Sequence, residues 1–326
     1  MKVCVLGAGA VGGHLAARLA HAGHCEVSVI ARGAQLEAIR RNGITLKSGR
    51  EEIVGEPAAA TDDPSSLPKQ DLVIVTVKAH AVPALAETIE KLLAPDGVAL
   101  FPLNGLTWWW NIGKRNSKGA LPLLDPEGGL WNRLRERSLG CVVYSPNEVV
   151  SPGVILHIGG NRFVIGEPND RQTARAQAVV DLFDQSGLPA ETTADIRADI
   201  WRKLMNNAPG NSIAALTRRG HYDTWSNPGL KEVGIAIMRE SLEVAAAMGW
   251  DLRKDIDPEK AAARVTPGPM STPSMLQDVL LNRSVEVESH LGQMQAFARE
   301  AGVKTPTIDV VLPLLRGLDL SIRSTK

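Results

Sequence analysis

The stretch KVCVLGAGAVGGHLAARLAHAG, residues 2–23, decides the first half of the fold. A short apolar run ends in glycines, and a helical pattern opens directly behind them. GAGAVG, residues 7–12, matches GxGxxG after a strand and before a helix, the context that gives the motif its meaning. Gly7 permits the tight turn, Gly9 lets backbone approach a pyrophosphate, and Gly12 lets the helix pack against the sheet. With Ala8, Ala10 and Val11 between them, the turn and the helix N-terminus offer backbone N–H groups to phosphates. A glycine turn that merely packs is the plain alternative. The position of the motif, with a second strand behind it, favours a dinucleotide.

That second strand, EVSVIAR, ends at Arg32. An acidic residue there would accept from ribose hydroxyls, whereas an arginine can pair with a 2′-phosphate. Glu26 stands at the wrong end of the strand, so NADP(H) is favoured over NAD(H). DLVIVTVK and GVALFPLNG are further strands, with VPALAETIEKLLAP as a helix between them. Apolar strands alternating with helices indicate a parallel sheet covered on both faces. Lys78 and Asn104 close two of these strands, at the end where ligands sit in open α/β sheets. Taken alone, each reads equally well as a solvated lysine or a plain turn. LGCVVYSPNEVVSPGVILHIGGNRFVIGEP is rich in strand and turn signals and is expected to extend the sheet with hairpins.

Strand signals stop near residue 195. IRADIWRKLMNNAPGNSIAALT, NPGLKEVGIAIMRESLEVAAAMG and SVEVESHLGQMQAFAREAG follow with helical periodicity. The expected fold class is α/β, with a Rossmann-type doubly wound domain over residues 1–193 and an all-helical domain over residues 194–326. Within WRKLMNNAPGN, Lys203, Asn207 and Asn211 are spaced four and four, which puts them on one helix face. A cation beside amides suits a carbonyl substrate. An ammonium can stabilise the charge that hydride addition leaves on oxygen and then donate the proton. A solvated stripe is the plain alternative, although two mid-helix asparagines are poor helix formers and need a reason. Pro209-Gly210 is expected to break or kink this helix. Ser274 and Glu286 stand where helices begin, and each alone reads as a cap or a dipole partner.

The composition is globular, with 44% hydrophobic and 22% charged residues. Thirty-six basic residues balance 36 acidic ones. Without a basic run, neither nucleic acid nor an anionic membrane gains electrostatic support. No apolar run approaches the ~18 residues of a membrane span. The first strand leaves no room for a signal peptide, and Cys4, Cys25 and Cys141 read as reduced core residues. A cytoplasmic protein is expected.

GAGAVGG, VKAH, LNGL, IWRKLMNN with Asn211, PSMLQD and the VEVE stretch occur in the order seen in the ketopantoate reductase family. The resemblance covers essentially the whole chain, and WRKLMNN and SMLQD are its most specific parts. It implies a Rossmann domain, a helical second domain, and NADPH-dependent reduction of 2-dehydropantoate to pantoate on the route to pantothenate and coenzyme A. By motif position, Lys203 resembles the family's catalytic general acid. Asn207 and Asn211 resemble its substrate-orienting asparagines, and Ser274 the residue that binds the substrate's polar end. Glu286 resembles the glutamate that holds substrate near the lysine. Lys78 and Asn104 resemble residues on the Rossmann side, and Arg32 matches the arginine for the 2′-phosphate. Cofactor contacts are expected from the glycine turn, Arg32, Lys78, Asn104 and Glu286.

Three features depart from the pattern. LTWWWNIGKRNSKGALPLLDPEGGLW, after Asn104-Gly105, is longer than the family's connection. Its Trp108, Trp109 and Trp110 either pack in a core or interface, or reshape a substrate pocket. Pro209-Gly210 is the second departure. The third is His290, one turn beyond Glu286 where an apolar residue is expected. The competing readings are therefore a reductase of a bulkier 2-oxo acid and an NADP-binding sensor without turnover. The expected partner is a small 2-oxo acid, and the apolar faces of the helical half would allow a homodimer.

Overall fold

A computed structural model describes residues 1–265 and 272–324. The chain divides into two compact units. The first comprises Met1–Leu103 and Trp108–Arg197, and the second comprises Asn104–Thr107 and Ala198–Lys326.

The first unit contains strands β1 (Lys2–Leu6), β2 (Glu26–Ile30), β3 (Ile44–Ser48), β4 (Glu51–Gly55), β5 (Ala59–Thr61), β6 (Gln70–Val75), β7 (Leu93–Phe101), β8 (Ser138–Tyr144), β9 (Asn147–Ser151), β10 (Val154–His157), β11 (Arg162–Gly166) and β12 (Ala190–Thr193). Its helices are α1 (Ala10–Ala22), α2 (Gly33–Asn42), α3 (Ala86–Leu92), α4 (Gly129–Leu134) and α5 (Ala174–Gln185). Eight strands form one sheet in the order β12-β11-β8-β7-β6-β1-β2-β5. Every pair is parallel except β8 with β11. Val3, Val5, Val29, Ile74 and Leu100 are fully buried within it, as expected for a parallel sheet covered on both faces. The sheet turns back on itself across β1, the arrangement that puts ligands at the carboxyl ends of the strands.

The expected hairpins divide between two sheets. β8 and β11 join the main sheet, but β9 and β10 form a second sheet with β3 and β4, in the order β4-β3-β10-β9. This sheet packs on α1. A Cβ at Gly13 would lie 2.6 Å from the Ile155 side chain, and one at Gly55 would strike the backbone of Ala17. Strand propensity is local, whereas the partner of a strand is set by a surface elsewhere that must be covered.

The second unit contains α6 (Ile196–Thr217, from Ala198 onward), α7 (His221–Ser226), α8 (Pro228–Ala247), α9 (Pro258–Ala263), α10 (Ser274–Leu280), α11 (Gln293–Ala301) and α12 (Pro306–Ser324). The expected break at Pro209-Gly210 is absent: α6 runs through it with Pro209 inside. Ala208, Pro209, Gly210 and Asn211 are all buried, so packing outweighs the one donor that proline removes. Trp225 packs close to Gly210 of α6 on one side and to Gly234 of α8 on the other. The helix expected over SVEVESHLG starts late and with a wide turn, a π-turn at Glu288–Gly292 that leads into α11.

Candidate active site

In the first unit, the expected cofactor residues stand at the carboxyl ends of three adjacent parallel strands. The glycine turn follows β1, Arg32 follows β2, and Lys78 follows β6. Gly7 has φ +106°, a conformation that a side chain would strain. Its N–H donates to the Ile30 carbonyl at 3.0 Å. Its carbonyl accepts from the Thr76 hydroxyl at 2.5 Å. A Cβ at Gly12 would collide with that carbonyl and that hydroxyl. Gln35 braces the other side, donating to the Ala8 carbonyl at 2.9 Å and accepting from Gly153 N–H at 3.0 Å.

This turn fits a dinucleotide. Gly9 caps α1 with exposed backbone, and a Cβ there would meet nothing within 4 Å. The first turn of α1 carries no acidic side chain that would repel phosphate. Arg32 is exposed at the cap of α2, and no acidic residue stands beside it at the end of β2. Lys78 caps a short 3₁₀ turn and is half-buried. Thr76 and Gln35 hold the turn without belonging to the motif, so pattern alone gave no signal for either.

The second unit gathers the other expected residues. Asn104 belongs to this unit, not to the sheet whose strand β7 it follows. Lys203, half-buried on α6, donates from Nζ to Asn104 Oδ1 at 2.6 Å. Asn207 follows one turn later, also half-buried, and Asn211 one turn beyond that is buried. Asn211 Oδ1 accepts from the Met275 N–H at 3.1 Å and from the Ser274 hydroxyl at 3.4 Å. It therefore caps α10, whose own cap residue Pro273 offers no side-chain acceptor. Ser274 is the first residue of α10 and is held by Asn211. Glu286 is buried just ahead of the π-turn.

The tryptophan segment lies in the core of the first unit. Trp108, Trp109 and Trp110 are at most 2% exposed. Trp108 meets Phe101 edge-on at 5.3 Å. Arg197 organises the segment from inside. It donates to the carbonyls of Trp110 (2.9 Å), Ile112 (2.5 Å) and Pro168 (2.6 Å), and pairs with Asp170 at 2.7 Å. Its guanidinium also lies 5.9 Å and 5.8 Å from the rings of Trp109 and Trp110. Sequence reasoning missed Arg197, because an arginine in IRADIWRK looks like any solvated helix charge.

None of the three cysteines is in a disulfide. Burial pushes Cys4 up to about 12 and Cys25 up to about 11, so neither is a thiolate at neutral pH.

A phosphate-binding turn over a doubly wound sheet, joined to a helical unit that carries a lysine–amide pair, defines a nicotinamide-dependent oxidoreductase. The chain belongs to the ketopantoate reductase family. The model for ketopantoate reductase PanE/ApbA matches residues 3–170, and the model for its C-terminal region matches residues 195–319. A 2-dehydropantoate 2-reductase of Mesorhizobium japonicum is 36% identical over 98% of each chain. A solved chain from Ralstonia solanacearum MolK2 superposes with a TM-score of 0.90 at 33% identity, over 98% of each chain. A PanE/ApbA family ketopantoate reductase from Ralstonia eutropha JMP134 superposes with a TM-score of 0.82 at 26% identity, covering 99% of this chain and 100% of its own. The protein is thus an NADP-dependent oxidoreductase of the 2-oxo acid reductase class. Among the described residues no helix is long and apolar enough to cross a membrane.

Proposed function

We propose that the protein reduces 2-dehydropantoate to pantoate with NADPH, the reductive step on the route to pantothenate and coenzyme A, with Lys203 as general acid. The observation that carries this reading is the Lys203–Asn104 hydrogen bond of 2.6 Å. Bound NADPH supplies the hydride that C2 of the 2-oxo acid accepts. Lys203 donates a proton to the oxygen as negative charge develops on it. Asn104 aims the ammonium without adding charge, because an amide oxygen accepts but cannot titrate. Asn207, on the same face of α6, and Ser274 orient the substrate's polar groups. Glu286 holds the substrate beside Lys203. Asn211 supports this arrangement through its cap on α10.

The glycine turn holds the pyrophosphate, and Arg32 the 2′-phosphate. Lys78 completes the cofactor side. The tryptophans are core residues, which weakens the reading of a pocket enlarged for a bulkier acid. The lysine–asparagine pair argues against a sensor, which needs no acid. A cytoplasmic setting fits cysteines that form no disulfide. A homodimer is its proposed assembly, tested by light scattering of the purified chain.

The deciding experiment is the rate of NADPH oxidation with ketopantoate, beside NADH and a panel of bulkier 2-oxo acids. Fast NADPH-dependent turnover of ketopantoate is expected. Turnover confined to another acid would move the substrate assignment, and no turnover with any acid would leave a binding module.

A further inference from the structure

His290 is the departure that the proposed reaction does not absorb. It lies in the π-turn, where the Gln293 N–H donates five residues back to the Glu288 carbonyl. Such wide turns cluster at functional sites. The imidazole is 1% exposed. A polar ring in that setting is costly unless its N–H finds an acceptor. His290 Nδ1 lies 3.0 Å from the carbonyl oxygen of Glu286, and the Ser289 hydroxyl donates to the same oxygen at 3.3 Å. A carbonyl can only accept, so Nδ1 carries the proton.

The π-turn is also fixed from outside. Leu106 N–H donates to the Ser289 carbonyl at 2.7 Å. Gly105, with φ +77°, comes so close that a Cβ there would lie 2.7 Å from the Ser289 carbonyl carbon. Arg316 grips Glu288 through two bonds of 2.7 Å. One junction therefore joins two short segments: the one that begins with Asn104, the acceptor for Lys203, and the one that begins with Glu286. Within that junction, the His290 ring closes the backbone of Glu286.

We propose that His290 is a positioning residue: its Nδ1–H fixes the backbone of Glu286 and thereby aims the Glu286 carboxylate at the substrate. The proposal rests on the reading of Glu286 as the residue that holds substrate beside Lys203. An aliphatic side chain would fill the space but remove the shorter of the two side-chain bonds to this carbonyl, leaving the Ser289 hydroxyl at 3.3 Å. Asparagine carries Nδ2 the same number of bonds from Cα as Nδ1 of histidine and can replace it. Glutamine is one bond longer and cannot.

The test is steady-state kinetics with NADPH and ketopantoate for His290→Leu, His290→Asn and His290→Gln, each alone and combined with Glu286→Gln. His290→Leu is expected to raise KM for ketopantoate about tenfold, the scale of one buried hydrogen bond, with kcat little changed. His290→Asn should return KM to within about twofold of the parent, and His290→Gln should resemble leucine. In the Glu286→Gln background, His290→Leu should add nothing. Equal KM values for the asparagine and glutamine variants would overturn the proposal, a comparison that still decides if the leucine variant fails to fold. So would a leucine effect that persists undiminished without the Glu286 carboxylate. Parent-like kinetics for Glu286→Gln would remove Glu286 from the site and the proposal with it. An impaired Glu286→Gln beside a silent His290→Leu would overturn the role of His290 alone. A chain that turns over no 2-oxo acid overturns both.

Discussion

Lys203 donates its ammonium to the side-chain oxygen of Asn104 at 2.6 Å, across 99 residues of sequence. The bond gives the cation one orientation and leaves it half-buried. If Lys203 is the general acid, Lys203→Ala should lower kcat by about 100-fold or more while NADPH still binds. Asn104→Leu should cost less, because the acid remains and only its aim is lost. Single-turnover reduction with NADPH prebound measures both. Near-parent rates for Lys203→Ala would remove the lysine from the chemistry.

The glycine turn separates fold from binding. A Cβ at Gly9 meets nothing within 4 Å, whereas one at Gly12 strikes the Gly7 carbonyl and the Thr76 hydroxyl. Gly9→Ala should therefore leave Tm near the parent value and weaken NADPH by about tenfold or more, because the methyl occupies the place of the pyrophosphate. Gly12→Ala should lower Tm without any ligand present. Calorimetry and a fluorescence titration on both variants check the contrast, and identical behaviour would contradict it.

Arg32 is exposed between Ala31 and Gly33, neither of which is acidic. Arg32→Ala should weaken NADPH by about 10- to 100-fold and leave NADH nearly unchanged, since only a 2′-phosphate offers the guanidinium two acceptors. The ratio of the two dissociation constants is the measurement. An equal loss for both cofactors would assign Arg32 to the pyrophosphate or to the fold.

Much of this was legible in the sequence because it is local. The glycine turn carries its own strand and helix, and the four-residue spacing put Lys203, Asn207 and Asn211 on one face. What sequence could not give were choices made by distant surfaces. β9 and β10 read as strands, but only the face of α1 that needs covering tells them to join β3 and β4 rather than extend the main sheet. Asn104 reads as the end of a strand, yet Gly105 and Leu106 dock on Ser289, and that contact places it in the helical unit. Asn211 read as a substrate ligand by spacing. Its bond to α10 depends on a residue 64 positions away.

Arg197 tests the tryptophan segment. Its four hydrogen-bond acceptors are the Asp170 carboxylate and the carbonyls of Trp110, Ile112 and Pro168. Arg197→Met keeps much of the volume but strands those carbonyls and Asp170. A loss of about 1–3 kcal/mol in unfolding free energy is expected for each buried carbonyl left short of a donor, with little added by the half-exposed Asp170. Trp108→Ala should likewise lower stability while leaving the preference among 2-oxo acids unchanged. A shifted preference in a stable Trp108→Ala protein would return the segment to the substrate pocket.

His14 sets a pH limit on the fold. It is fully buried on α1, its Nδ1 is 3.1 Å from the Ser145 hydroxyl, and its ring centroid is 4.7 Å from that of His157. Burial, then the neighbouring charges of His157 and Arg18, lower its pKa from 6.5 to about 3. The unfolded chain therefore takes up a proton near 6.5 that the folded chain refuses until about 3. Stability from this group is fully present above the unfolded value and declines as pH falls through the window between the two, at up to about 1.4 kcal/mol per pH unit. His14→Leu removes that proton difference. It also loses the bond to Ser145, which shifts the whole curve but does not tilt it. Denaturant unfolding of both proteins at about pH 6, 5 and 4 should give a shallower decline for the leucine variant. Other groups also titrate there, so the difference between the two slopes is the quantity that reports His14. Parallel slopes would mean that His14 is protonated in the folded protein, with water reaching the ring.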